Sequence, residues 1–255
     1  MKKILISNDD GYESPGLLAL IEALDGLGHI TVVAPSTEKS ACGHSLTLTR
    51  PLSFISVGDD FYKLDDGTPS DCVYLALHSL FEEQKPDLVI SGINKGSNMG
   101  EDITYSGTAA AAMEGVLQGV PSIAISQVMD FTQPMGDFAL AKNAIRTLVT
   151  KILDGEFPLK HREFLNVNIP YGVEELQWCV TYAGYRYYAN DAHLHRNPRG
   201  MEYYWLGLHP LEFKAREHGM GLCDFEAIEQ GMVSLTPIQL DMSAYESMKK
   251  LQEWL

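Results

Sequence analysis

Two adjacent carboxylates, Asp9 and Asp10, close the apolar stretch Ile4-Leu5-Ile6 in KKILISNDDGY, and Gly11 follows them. Like charges side by side repel, so the pair predicts a cation beside them. Carboxylates joined by Ser and Asn oxygens form a hard donor set, suited to Mg²⁺, Mn²⁺ or Ca²⁺ rather than to zinc or copper. A bound dication removes the repulsion and lowers both pKa values. Taken alone, the same residues also fit a turn at Asp10-Gly11 with Asp9 as a cap.

Two more segments supply matching chemistry. The stretch after TVVAP holds Ser36, Thr37, Ser40, His44 and Ser45, and the stretch after DLVISG reads INKGSNMGEDITYSGT. Glycines in both allow close backbone approach. Ser106, Gly107 and Thr108 stand where a helix begins, and free amides plus the helix dipole make such an end an anion site. Ordinary capping by Ser106 explains the same residues. A dication next to a helix N-terminus is the more specific pairing, and it points to phosphate chemistry.

These residues need elements to hold them. Lys2 to Ser7 reads as a strand, and Ser14-Pro15 as the cap and first position of a helix carrying Leu17, Leu18, Ile21, Leu24 and Leu27. HITVVAP, PDLVISG, PSIAISQ and EFLNVNIP read as strands, with helices at TPSDCVYLALHSLF, SGTAAAAMEGVLQG and 136–153 between them. Strands apolar on both faces that alternate with helices imply an α/β fold: a mostly parallel sheet covered on both sides. In such a sheet ligands bind beyond the carboxyl ends of the strands, where the three polar segments fall. Ala109 to Ala112 let their helix pack close. From about 178 to 222 the chain is rich in Tyr, Gly and Arg and reads as a protruding β-hairpin arm. CDFEAIEQGMVSLTPIQL then predicts a short helix and a strand. The end, about 243–255, predicts an amphipathic helix with Met242, Tyr245, Met248, Leu251 and Leu255 on one stripe. The α/β core thus covers about 1–177 and 223–240 of one domain.

Composition narrows the function. A chain of 255 residues with 34 acidic and 19 basic side chains carries a formal charge of −15, which disfavours long nucleic acids. Its apolar runs are too short to span a membrane, and no signal peptide is evident, so a cytoplasmic location is expected. The four cysteines lack CxxC spacing and read as reduced thiols. There is no GxxxxGK[ST], no GxGxxG after the first strand and no GxSxG. His78 reads as structural, and His193, His195, His209 and His218 fall in or near the arm.

The motifs SNDDG, GHSLTL, GTPSDCVYLAL, SGINKGSNMGEDITYSGTAAAAMEG and GMVSLTPI together resemble the SurE (survival protein E) family of metal-dependent nucleotidases. The resemblance spans nearly the whole chain. It implies a Rossmann-like core, an extended hairpin, and a C-terminal segment that together with the hairpin forms homodimers or homotetramers. It also implies hydrolysis of nucleoside monophosphates, and of short polyphosphate by some members. One divalent ion per chain, Mg²⁺ or Mn²⁺, would be held by Asp9, Asp10, Ser40 and Asn94. Asn98, Ser106, Gly107 and Thr108 would face the phosphate. Two positions depart from the family pattern. Ala41 replaces a glycine often found after the metal-binding serine, and Glu226 stands where some members carry a histidine.

The expected reaction is attack of a metal-activated water on a phosphomonoester, with Asp9 contributing through the ion. Lys95 could add positive charge. Asp9 as a covalent nucleophile is the less favoured route, because DDGYE does not fit DxDx[TV]. A phosphoryl-accepting signalling domain and a non-catalytic nucleotide-binding module are the alternatives.

Overall fold

β1 (Lys3–Ser7) is apolar on both sides, and each side meets a different helical layer. Ile4 and Ile6 pack with Leu17, Leu20 and Leu24 of α1 (Pro15–Ala23 and its C-terminal cap) and with Ala141, Ile145 and Val149 of α4 (Ala139–Asp154). Leu5 faces the other way, onto Cys72 and Val73 of α2 (Pro69–Leu75) and Ala111 of α3 (Gly107–Leu117). The two-residue period of a strand turns one apolar run into the centre of a three-layer sandwich. The structure is a computed structural model that describes residues 1–129, 138–155, 157–188, 191–207, 210–215 and 221–255.

The described residues form a nine-stranded sheet in the order β3-β4-β2-β1-β5-β6-β7-β13-β8. β2 (His29–Pro35), β4 (Phe61–Leu64), β5 (Leu88–Lys95), β6 (Ser122–Gln127) and β7 (Glu163–Ile169) run parallel with β1. β3 (Phe54–Gly58) and β13 (Val233–Gln239) are antiparallel to their neighbours β4 and β7. The chain builds outward from β1 in one direction and from β5 in the other. The carboxyl ends of these two strands therefore flank the crevice where such sheets bind ligands.

Local signals explain the helix starts. Ser14 accepts the Leu17 N–H, and Thr68 and Asp71 form a reciprocal capping box around Pro69. The small residues of α3 are buried from Ala109 to Ala112. At Gly115 a Cβ would lie 2.2 Å from Ser122 Oγ, so the helix rides directly on the sheet. Residues 76–80 continue α2 as a π-helical turn.

The arm is a nested pair of antiparallel ribbons. β9 (Tyr185–Tyr188) pairs with β12 (Pro210–Lys214), and beyond them β10 (Asp191–Arg196) pairs with β11 (Glu202–Gly207). Its expected start is corrected: Trp178–Val180 forms β8, a sheet-edge strand parallel to β13. The chain leaves the sheet after Thr181, whose buried hydroxyl bonds Ser234 and Thr236 of β13 at 2.8 and 2.7 Å. The helix expected at 136–153 is α4, and residues 136 and 137 lie outside the described residues. β3 and β4 had no counterpart in the sequence reading. α5 (Asp224–Glu229) and β13 follow the arm as expected, and α6 (Tyr245–Trp254) ends the chain with no buried residue. No helix among the described residues is long and apolar enough to cross a membrane.

Candidate active site at the strand ends

The turn after β1 is built by Asn8. Its buried side chain donates to Gly11 O at 2.9 Å and to Ser14 Oγ at 2.8 Å, joining the strand end to the cap of α1. Gly11 has φ +95°, a conformation that favours glycine, and the next amide, Tyr12 N–H, reaches Pro35 O at the end of β2. The polypeptide thus bends sharply while presenting two consecutive carboxylates to different neighbours, Asp9 to Thr108 and Asp10 to Lys95.

Asp9 turns toward α3 and is only 4% exposed. Its carboxylate accepts the Thr108 hydroxyl at the start of that helix. Burial pushes its pKa up to about 6, against the Thr108 bond and with a further push from Asp10. Gly107 makes the approach possible: a Cβ there would lie 2.7 Å from Asp9 Cβ and 3.1 Å from Cys42 Sγ. Asp10 is half-buried, and its carboxylate accepts the Lys95 N–H at 3.2 Å at the end of β5. Burial raises its pKa, Lys95 opposes this, and Glu38 adds to it. Asn94 stands one residue earlier, and its Nδ2 donates to Gly96 O at 2.8 Å, so Oδ1 is the atom a cation would meet.

The loop after β2 closes over this corner. Lys39 N–H donates to Asp9 O at 2.7 Å, and Gly43 N–H donates to Tyr105 O at 3.0 Å. Ser40 rides on that loop, exposed, with its hydroxyl donated to Glu38 Oε1 at 2.8 Å. At the start of α3, Ser106 Oγ caps the helix by accepting the Ala109 N–H at 3.0 Å. Asn98 sits in a buried amide network instead of an open cradle. Its Nδ2 donates to Ser126 Oγ, its N–H to Asn168 Oδ1, and its carbonyl accepts from Asn166 and Asn168, all at 2.8 to 2.9 Å.

Asp9 and Asp10 with Asn94 nearby form a hard-oxygen set, and two desolvated carboxylates with raised pKa values fit a small dication. No group of three or more His, Cys, Asp or Glu side chains gathers for a metal among the described residues. The set therefore needs its amide and hydroxyl members.

Glu114, Asp71 and Arg186 carry no signal of their own in the sequence, yet they support the site. His44 Nε2 meets Glu114 Oε2 at 2.8 Å and pins the loop to the side of α3. Burial opposes ionised Glu114, yet the bonds from His44 and Gln118 win and hold its carboxyl below the usual range. Asp71 accepts both N–H and hydroxyl of Thr47, anchoring the other end of the loop. Arg186 of the arm donates twice to Asp102, at 3.1 and 3.0 Å, in the turn leading into α3. Glu226 accepts the Cys223 N–H at 2.8 Å and caps α5, a structural task. His78 is held by Gln118 at the surface, His195 stacks on Tyr203, and His209 and His218 lie outside the described residues.

A family model described as Survival protein SurE matches residues 4–190. The chain belongs to the SurE family. It is 66% identical to a protein named 5'-nucleotidase SurE from Sulfurimonas denitrificans, over 99% of this chain and 98% of that one. The protein of the same name from Helicobacter hepaticus is 60% identical over 100% of this chain and 99% of the relative. A SurE protein from Aquifex aeolicus has a crystal structure that matches with a TM-score of 0.81 and 41% identity, covering 99% of each chain. The Rossmann-like sheet and hairpin implied by the sequence motifs are thus present in a SurE fold.

Proposed function

We propose that this SurE chain is a nucleotidase, a phosphoric monoester hydrolase that converts nucleoside monophosphates to nucleosides and phosphate. The observation that carries the reading is the contact between buried Asp9 and the start of α3. It puts a carboxylate that favours a cation directly against a helix end that favours an anion. The names of the relatives, at 60 to 66% identity over full length, support the same substrate class.

One divalent ion, Mg²⁺ or Mn²⁺, held by Asp9, Asp10, Ser40 and Asn94, would polarise a phosphoryl oxygen and lower the pKa of a water. Ser40 would exchange its bond to Glu38 for this role. The amides of Gly107 and Thr108 would meet the phosphoryl oxygens, while the Thr108 hydroxyl holds Asp9 and Ser106 keeps the helix end in place. Asn98 acts from behind, fixing the ends of β6 and β7. Because charge spreads over the phosphoryl oxygens in the transition state, rigid positioning of these groups is the main contribution of the protein. Asp9, buried and bonded to Thr108, is set to hold rather than to attack.

The exposed stripe of α6 (Tyr245, Met248, Leu251) and the arm residues Tyr187, Tyr204 and Trp205 support a homodimer or homotetramer. Light scattering is expected to give a mass of at least two chains, and a monomer would contradict this. The acidic chain and its four free cysteines support a cytoplasmic enzyme acting on small substrates. A phosphate-release screen tests the function. Nucleoside 5'- and 3'-monophosphates are expected to be cleaved over repeated turnovers, with tripolyphosphate as a further arm. One phosphoryl group taken up per chain would instead indicate a signalling domain, and binding without turnover a non-catalytic module.

A further inference from the structure

A cleft of about 440 Å³ opens beside Asp10, lined by Tyr12, Ser36, Thr37, Lys95 and Phe138 together with the turn after β1. Its volume falls within the ~300–1,000 Å³ typical of small-molecule sites. Gly107 lies tight against Asp9 and Cys42, whereas Asp10 itself lines the open cleft. A phosphate ester gripped at the start of α3 and the carboxylate pair has room for its leaving group on the Asp10 side.

The walls have the chemistry of a nucleoside. Tyr12 is half-buried, its main chain tied to Pro35 O at 3.0 Å, and the Lys63 ammonium stands 4.4 Å from its ring centroid. A ring held this firmly loses little freedom when a flat group packs on it. Ser36 Oγ accepts the Asp66 N–H at 3.1 Å, so its own proton remains for donation to a sugar hydroxyl. Thr37 is exposed at the rim and offers a second hydroxyl.

We propose that this cleft is the nucleoside subsite: the base packs against Tyr12, and Ser36 and Thr37 meet the ribose. The inference rests on the phosphatase reading above and adds the place and the chemistry by which a nucleotide is preferred over a simple phosphate ester. Packing on an aromatic ring is tolerant of base identity, so preference among the bases is modest.

The test compares kcat/KM for AMP and for glycerol phosphate, in wild type and in two variants. Tyr12→Leu keeps the apolar packing and removes the ring. Thr37→Trp fills the rim from an exposed loop position and leaves the core alone. Each is expected to lower the AMP to glycerol phosphate ratio about tenfold, through KM for AMP. A ratio within twofold of wild type in both variants overturns the subsite. A wild type that releases phosphate from neither ester overturns the phosphatase reading itself, a separate outcome. If Tyr12→Leu fails to fold, the ratio for Thr37→Trp decides alone.

Discussion

Asp9→Asn is expected to lower phosphate release by at least ~10³-fold while leaving the metal-free fold as stable as wild type, or more so. The two halves have one cause. Asp9 is 4% exposed, and burial, reinforced by Asp10, raises its pKa to about 6. Between the ordinary carboxylate value of 3.8 and 6, the folded state holds a proton that the unfolded state has released. Stability of the metal-free protein therefore falls as pH rises through that window, by a total of about 3 kcal/mol. Asparagine keeps the shape and can still accept from Thr108, but it carries no charge to bury. Thermal denaturation of both proteins in chelator at pH 7.5 reads the stability, and AMP turnover reads the activity. A variant that retains a tenth of the activity, or unfolds well below wild type, contradicts the role given to this carboxylate. The same proton competes with the ion. Affinity for Mn²⁺ is expected to fall progressively below pH ~6, toward tenfold per pH unit, as calorimetric titration would show.

Gly16→Ala is expected to destabilise the fold by about 3 kcal/mol, although alanine is the better helix former by about 1 kcal/mol. Gly16 lies in the first turn of α1, where a Cβ would stand 2.0 Å from Ile93 O and 3.1 Å from Ile93 C. Both atoms are backbone, so no side-chain rotation relieves the clash. The helix must lift from β5, parting Leu17 and Leu20 from Ile90 and Ile93. Sterics therefore outweigh propensity. Activity should fall as well, because Asn94 follows Ile93 and the Asp9-Asp10 turn feeds directly into α1. Urea denaturation followed by circular dichroism measures the change, and a loss under ~0.5 kcal/mol would show that the contact yields easily.

The parallel core was legible because its signals are local. Two-sided apolar runs marked β1, β5 and β6, and Ser14-Pro15 and Thr68-Pro69 marked helix starts that are capped as expected. The edge ribbon of β3 and β4 was missed because its strands are short and half-exposed, joined by a turn with Asp60 at φ 51°. β8 runs on in sequence into the Tyr-rich arm as WCVTYAGYRYY, and only its pairing with β13 distinguishes it. At the site, adjacency exposed Asp9 and Asp10, and the helix start exposed Ser106, Gly107 and Thr108. The braces were hidden by sequence distance. His44 and Glu114 are 70 residues apart, and Asn98 meets Asn168 across another 70. Both pairs join groups that a sequence presents as separate polar residues, and only the fold makes them partners.

The most direct measurement strips the enzyme of divalent ions with chelator, follows phosphate release from AMP, and then restores Mn²⁺ or Mg²⁺ in excess. Release is expected to drop to background without the ion and to recover when it is returned. Turnover that continues undiminished in the stripped enzyme would contradict the account.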